Sequence, residues 1–343
     1  MKNTLPRWSI AALLIGGAAI AQSGSHVAGQ GKPASNSAAD LALVSSGDRL
    51  LVQALNQLER RRSITARLNY QVWLGGERLS GRGGYWQQGN GEDLRVRLDL
   101  QMIGQDSSLR QVSNGRALWI DQRLPMGRTV TQINLRELRA DPVLAAESFE
   151  QIGPGQASWS PTRPDVLACS GGLPRLLASL SENFSFLPRQ AMRLVSPGSP
   201  PQASAPYFAV VGHWKPERLA MLAGQGLATE GSSPGRFPQE VLLLFGQADL
   251  FPYRVEYRRR ETQPPEGPNL PAAAYQLSAK PVVVLEFSDV AFDVPIAVGQ
   301  FDYAPGDIDW VDQTAAVLER LHRERQAKIA KRPVEVPQAA PAR

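Results

Sequence analysis

The segment from Ser63 to Val130 alternates apolar and polar residues, and this two-residue period constrains the fold more than any other feature of the chain. In its clearest stretch, one set of residues is apolar and the other is charged or polar: Leu94, Val96, Leu98, Leu100 and Met102 against Arg95, Arg97, Asp99 and Gln101. Successive side chains of a β-strand point to opposite faces, so the pattern predicts a sheet with one dry and one wet surface. The dry surface requires a cover, which is either a layer of helices or a ligand.

The turns in this block predict how its strands pair. Asn114-Gly115 lies between two apolar runs, and its residues tolerate the positive φ of a two-residue hairpin. We therefore expect an antiparallel meander, in which Leu68, Tyr70 and Val72 of the first strand share the dry face with the third strand.

Glycines interrupt the side-chain layer of the second strand at Gly81, Gly83 and Gly84. Glycine inside a strand marks a bend or a place where another backbone approaches closely. We therefore expect a strongly curved sheet and not a flat one.

The first residues predict export of the chain. Lys2 and Arg7 precede an apolar stretch from Trp8 to Ile20 and a small-residue cleavage pattern, so residues 1–21 are interpreted as a signal peptide. An uncleaved membrane anchor is the alternative, but the stretch is shorter than the ~20 residues that span a bilayer. We expect a periplasmic location, a flexible leader over 22–39, and a fold held by burial because Cys169 is the only cysteine.

Two amphipathic helices are predicted as covers for the sheet. Asp40 to Arg62 has leucines at helical spacing, and Gly172 to Leu187 has an apolar stripe that fits either a core helix or a lid over a ligand. We predict an α+β fold with helices on one face of a large antiparallel sheet. It occupies a single domain over 40–331 with proline-rich loop insertions, followed by a disordered tail at 332–343.

The sequence contains no recognisable catalytic or metal-binding motif. Its three histidines, His26, His213 and His322, share no ligand spacing, and no nucleophile elbow or phosphate-binding loop is present. The net charge of +5 is spread along the chain and partly balanced by acidic residues, which argues against nucleic acid as a partner. We predict a protein that is not an enzyme, with no catalytic residues, no metal and no cofactor.

Six segments, in this order, resemble the LolA family of periplasmic chaperones that carry lipoproteins toward the outer membrane. They are Leu55-Asn56-Gln57-Leu58, Ser63 to Leu68 with Gln71, Gly81 to Trp86, Val112 to Trp119, Gly172 to Leu180, and Phe301 to Pro305 with Val311-Asp312. The resemblance implies an open, strongly curved antiparallel half-barrel whose concave apolar face is closed by helices. It also implies acyl chains of lipids or lipoproteins as ligands and a membrane-bound delivery or receptor protein as a further partner.

The residues that we assign to ligand binding fall into two groups. The cavity wall consists of Leu68, Tyr70, Val72, Leu94, Val96, Leu98 and Leu100, and the lid consists of Leu176, Leu177, Leu180 and Phe184. A closed core in which these residues pack only on one another fits the same pattern. An envelope sensor or scaffold that binds a partner protein through the same fold is the alternative to a carrier. The chain is longer than a LolA carrier, and Arg67 points away from the apolar face in this alternation.

Overall fold

The computed structural model describes residues 45–74, 77–142, 164–193, 205–224, 238–259 and 279–330. The predicted signal peptide at 1–21, the leader at 22–39 and the tail at 332–343 lie outside these residues, as do most of the proline-rich insertions. Within the described part of the chain, no helix combines the length and apolar character needed to cross a membrane.

The described residues form thirteen strands and five α-helices. The strands are β1 Ser63–Leu74, β2 Glu77–Gln88, β3 Arg95–Met102, β4 Ser108–Ser113, β5 Ala117–Leu124, β6 Gly127–Asn134, β7 Phe184–Phe186, β8 Gln190–Arg193, β9 Pro206–Trp214, β10 Glu240–Gly246, β11 Pro252–Arg259, β12 Lys280–Phe292 and β13 Trp310–Asp312. The helices are α1 Ser46–Arg60, α2 Leu135–Ala140, α3 Pro164–Asn183, α4 Pro216–Gly224 and α5 Thr314–Ala330.

All of these strands belong to one sheet. Their order across it is β13-β6-β5-β4-β3-β2-β1-β12-β11-β10-β9-β7, and β8 pairs with β9 beside β7. Strands β1 to β6 form the meander that the turns predict, and among the described strands only β13 pairs in parallel, with β6. The sheet is curved and does not close, so the predicted α+β half-barrel is confirmed.

Strand β1 joins two halves of the sheet that are distant in sequence. It pairs with β2 on one side and with β12 on the other, where Leu68 lies opposite Phe287 and Tyr70 opposite Leu285. Directly opposed residues lie on the same face of a sheet. The dry face of the meander therefore continues without a change of side into β12, β11, β10 and β9.

Helix α1 begins with a side-chain cap. The Ser45 hydroxyl accepts hydrogen bonds from the backbone N–H groups of Gly47 and Asp48, both at 3.1 Å, which satisfies donors that a helix N-terminus leaves open. The predicted helix over 40–62 is thus confirmed from Ser46 to Arg60, and residues 40–44 lie outside the described part. Its buried face contains Leu50, Leu51, Ala54 and Leu58.

Four helices cover a single face of the sheet in two apolar clusters. The larger cluster joins α1 and α3 to β1, β2, β3 and the strands from β9 to β12. The smaller one joins α2 and α5 to Leu118 and Ile133 of β5 and β6. Cross-strand pairs place Leu118 opposite Ser113 and Ser113 opposite Val96, so both clusters lie on the same, covered face.

The glycine-rich β2 lies against its neighbour as the sequence predicts. A Cβ at Gly83 would collide with the backbone carbonyl oxygen of Asp99 in β3. A larger residue at this position would push the two strands apart. The predicted close approach of another backbone is confirmed here.

The segment from Val298 to Asp312 crosses the outer face of the sheet, opposite to the helices. The Arg97 guanidinium donates a hydrogen bond of 3.0 Å to the Gln300 carbonyl oxygen, and the Tyr303 ring packs on Trp119 at a centroid distance of 5.4 Å. The predicted closing strand is only partly correct. Residues 302–305 have no regular structure, and the strand that pairs with β6 is Trp310–Asp312.

Candidate functional site

All eleven residues predicted to bind a ligand belong to the larger apolar cluster. Nine are buried and two, Leu94 and Leu176, are half-buried at its margin. The wall residues of β1 and β3 lie on the covered face, and the lid residues Leu176, Leu177 and Leu180 lie on α3 above it. The structure therefore brings the predicted wall and lid together, and we call this set, with Phe184, the covered-face residues.

One lid residue lies on a different element from the one predicted. Helix α3 ends at Asn183, and Phe184 begins the short strand β7, which pairs with β9. The Phe184 ring lies 4.2 Å from the Trp214 ring, centroid to centroid. Burial alternates along Phe184, Ser185 and Phe186, as expected of a strand. The strand follows the helix directly and has only three residues. Its alternation is therefore too short to be distinguished in the sequence from the apolar stripe of the helix.

Half of the covered face comes from strands that the sequence prediction did not assign to the site. Strands β9 to β12 contribute Val210, Val241, Leu243, Phe245, Val255, Val283, Leu285 and Phe287, all of them buried. Alternation in β11 and the apolar run in β12 predict strands there. These strands join the meander through the pairing of β12 with β1, which spans more than two hundred residues, and no local pattern encodes it.

Helix α3 consists of two helical pieces that meet at Gly172. Gly172 has φ 59° and ψ −154°, a conformation that only glycine adopts readily. Pro174 follows in the first turn of the second piece, where proline is tolerated because its missing N–H would have no helical partner. The covering helix therefore has a joint directly above the sheet.

A hydrogen bond fastens this joint to the sheet. The Leu173 N–H donates to the Tyr85 hydroxyl at 2.9 Å, and the Tyr85 hydroxyl donates to the Gln87 side-chain oxygen. Tyr85 and Gln87 share the covered face of β2. Sequence reasoning missed both residues because it searched this face for apolar side chains, although the alternation of β2 places them there.

The buried tyrosines of the covered face stay protonated. Burial raises the pKa of Tyr70 to about 12 and also raises the pKa of Tyr85, which the hydrogen bond from Leu173 counteracts only in part. Each hydroxyl thus remains a donor, to the Met102 sulfur from Tyr70 and to Gln87 from Tyr85. Neither of these two tyrosines therefore places a charge on the covered face.

The end of α3 carries a carboxyl group with a perturbed pKa. Burial raises the pKa of Glu182 to about 7, although the charges of Arg175, Arg218 and Lys215 act in the opposite direction. Of these cations, Arg218 makes an ion pair with Glu182, and its guanidinium lies 3.9 Å from the Glu182 carboxylate. Glu182 therefore takes up or releases its proton between mildly acidic and neutral pH.

We expect Glu182 to make the fold less stable as the pH rises from about 4.5 to about 7. Because its folded-state pKa is raised, the folded protein binds more protons than the unfolded chain in this window, and stability falls as pH increases. The side chain is 28% exposed and solvent screens it, so the effect should be about 1 kcal/mol. The free energy of unfolding of Glu182→Gln, measured in urea across this pH range, should lack this fall. The same pH dependence in the variant and the wild type would contradict the prediction.

The described residues offer no group of three or more histidine, cysteine, aspartate or glutamate side chains that could hold a metal ion.

On the outer face, Arg67 is largely exposed and pairs with Asp289 at 3.1 Å, so it points away from the covered face as the alternation predicts.

Known proteins resemble this chain only in comparisons of structure. No protein-family model and no curated protein matches the chain. Similar solved structures include a DUF1329 family protein from Desulfovibrio piger, with 11% identity, a TM-score of 0.31 and coverage of 76% of this chain and 97% of that one. A domain named for outer membrane lipoprotein sorting from Vibrio parahaemolyticus has 11% identity, a TM-score of 0.30 and coverage of 75% and 96%.

A LolA superfamily protein from Nitrosomonas europaea is also similar, with 11% identity, a TM-score of 0.26 and coverage of 75% of this chain and 98% of that one.

Proposed function

We propose that this protein is a cell-envelope carrier or binding protein, without catalytic activity, that holds acyl chains of lipids or lipoproteins between the sheet and α3. The observation that carries the proposal is a covered face that is apolar across both halves of the sheet, beneath a helix that is jointed at Gly172. In this proposal the covered-face residues form the ligand site and a membrane-bound protein receives or delivers the cargo.

An acyl chain suits this face because it needs burial and no hydrogen bonds. Apolar burial contributes roughly 25 cal/mol per Å², or about 0.8 kcal/mol for each buried methylene. Two polar groups of the face beneath α3, those of Tyr85 and Gln87, already satisfy each other and the backbone of α3. A ligand with a polar middle would find few free partners there.

Entry of the ligand requires α3 to move. Leu177 and Leu180 on α3 are buried against the cluster, so an acyl chain reaches the wall residues only if it takes the place of these side chains. The joint at Gly172 allows the second helical piece to swing while the first keeps its position. The acyl chain then replaces helix–sheet contacts with ligand–sheet contacts of the same apolar kind.

The location and domain organisation complete the proposal. A signal peptide over 1–21 exports the chain to the periplasm, and residues 40–331 act there as one domain. An aqueous compartment between two membranes is where a lipid needs a protein carrier, because an exposed acyl chain is costly in water.

The test uses the full mature chain purified from a bacterial envelope. Organic extracts should contain bound lipid by mass spectrometry, and a dansylated undecanoic acid should bind saturably and be displaced by palmitate. Leu176→Gln in the lid should weaken the probe by about tenfold, since it places a polar group against the acyl chain. Val52→Gln, on the exposed side of α1, is the matched control and should leave binding unchanged. A lipid-free protein without saturable probe binding would overturn the proposal.

A second candidate function, binding of a partner protein, is favoured by the exposed end of the sheet. Strand β13 is the last strand beyond β6 in the described part, and its Trp310 and Val311 are 43% and 56% exposed. An edge strand with exposed apolar side chains can pair with an added strand. A stoichiometric protein recovered with the chain, lost on Val311→Lys and without bound lipid, would favour this function over the carrier.

A further inference from the structure

We propose that the outer face of the meander carries a separate binding site for a phosphate group, in the open cavity of about 470 Å³ where Arg82, Arg110, Arg123 and Arg128 converge on strands β2 to β6. Its four arginines lie on the face of the sheet opposite to the covered-face residues, and Leu100 borders the cavity. The site does not depend on acyl binding.

The register of the meander gathers these arginines. Arg82 of β2 lies opposite Gln101, which lies opposite Ser108, and the same row continues through Arg123 of β5 to Arg128 of β6. Arg123 and Arg128 are direct cross-strand partners. Like charges directly opposite each other destabilise a sheet, so nearby negative charge is favourable here.

The neighbouring row of cross-strand pairs contains Asp121, whose carboxylate orients the Arg128 guanidinium. Asp121 accepts two hydrogen bonds from Arg128, at 2.8 and 2.7 Å. Although burial alone raises it, the hydrogen bonds from Arg128 and Tyr303 keep the pKa of Asp121 below its usual value. Asp121 therefore stays ionised and holds the Arg128 fork in one orientation.

The remaining carboxylates do not neutralise the cavity. Asp99 accepts from both Arg97 and Arg110, so one negative charge serves two guanidinium groups. Arg123 lies 3.5 Å from Asp106, and both side chains are more than half exposed, so this ion pair is weak. Among the described residues, Arg82 has no ion-pair partner. The cavity thus retains an excess of positive charge.

The arginines of the cavity suit a phosphate group. Arg82 and Arg123 are exposed, and both line the cavity. Several guanidinium forks match the many acceptor oxygens of a phosphate better than the two of a carboxylate.

The phosphate group has two possible sources with the same chemistry, a soluble phosphorylated molecule or a phospholipid headgroup. Isothermal titration with pyrophosphate tests the first. Flotation with phosphatidylglycerol vesicles, compared with phosphatidylcholine vesicles, tests the second. The full mature chain is used in both experiments.

Pyrophosphate should bind, and Arg82→Ala combined with Arg123→Ala should weaken it at least tenfold, because each guanidinium removed loses a charge-assisted hydrogen bond. Arg78→Ala is the matched control. Arg78 lies on the same strand and face as Arg82, four residues earlier, and does not line the cavity. Both positions are exposed, so equal urea midpoints should show that the variants fold.

Pyrophosphate binding that depends on Arg82 and Arg123 supports a soluble ligand. Flotation with phosphatidylglycerol alone, with the same dependence, supports a headgroup. The proposal is overturned if neither probe binds, or if Arg78→Ala weakens binding as much as the double variant does.

Discussion

Leu177→Ala should lower the free energy of unfolding by about 2–5 kcal/mol, the largest single effect that we expect in α3. Leu177 is 0% exposed and lies in the second piece of α3, within the apolar cluster that joins α1 and α3 to the sheet. Truncation removes apolar burial and leaves a cavity, because the strands beneath cannot close over it. Urea unfolding followed by circular dichroism measures the loss, and an unchanged slope against urea shows that stability alone has changed.

Leu219→Ala is the matched control. Leu219 is on α4 and 42% exposed, so the same truncation should change the free energy of unfolding by less than about 0.5 kcal/mol. A comparable loss in both variants would mean that α3 does not contribute to the core as the structure places it.

The same variant separates a ligand cavity from a closed core. An apolar cavity of methyl-group size or larger accepts apolar ligands, so palmitate should raise the melting temperature of Leu177→Ala more than that of the wild type if acyl chains enter here. This result rests on the proposed function. If palmitate stabilises neither protein while the truncation still costs 2–5 kcal/mol, the carrier proposal fails and the packing of α3 stands.

Alternation was sufficient to predict the half of the sheet that is local in sequence. Residues of β1 and β3 such as Leu68 and Leu98 lie on the face predicted for them, because the side-chain period of a strand is set by the backbone alone. Turn chemistry at Asn114-Gly115 likewise predicted the neighbours of β4 and β5. Both signals need only a few adjacent residues.

The remaining features depend on contacts between distant residues. The pairing of β1 with β12 decides how far the covered face extends, and it follows from packing across more than two hundred residues. The row that joins Arg82 to Arg128 exists only once the register of four successive strand pairs is known. Single strands therefore indicate which face a residue occupies, and only the assembled sheet shows which charges meet.

The joint in α3 illustrates a different limit. Gly171 and Gly172 are visible in the sequence and predict a helix boundary, since glycine disfavours a helix interior. That the boundary lies above Tyr85, and that its backbone N–H bonds to the sheet, depends on where α3 packs. A single polar contact within an apolar face leaves no repeating pattern in the sequence by which it could be predicted.

Tyr85→Phe should lower the free energy of unfolding by about 1–3 kcal/mol, although it removes one oxygen atom. The substitution leaves two buried groups without partners, the Leu173 N–H at the start of the second piece of α3 and the Gln87 side-chain oxygen. Loss of this anchor should also speed hydrogen exchange of the amides from 173 to 183 more than exchange in the sheet, because the joint can then open locally.

Tyr70→Phe is the matched control for the loss of a buried hydroxyl. Tyr70 lies on the same face of the neighbouring strand, but its hydroxyl contacts the Met102 sulfur, a weak acceptor, and does not bond to α3. We expect a smaller loss of stability and unchanged exchange in α3. If both variants speed exchange in α3 equally, the effect comes from the covered face as a whole. If only Tyr85→Phe does so, the single bond between Tyr85 and Leu173 controls the opening through which a ligand would enter.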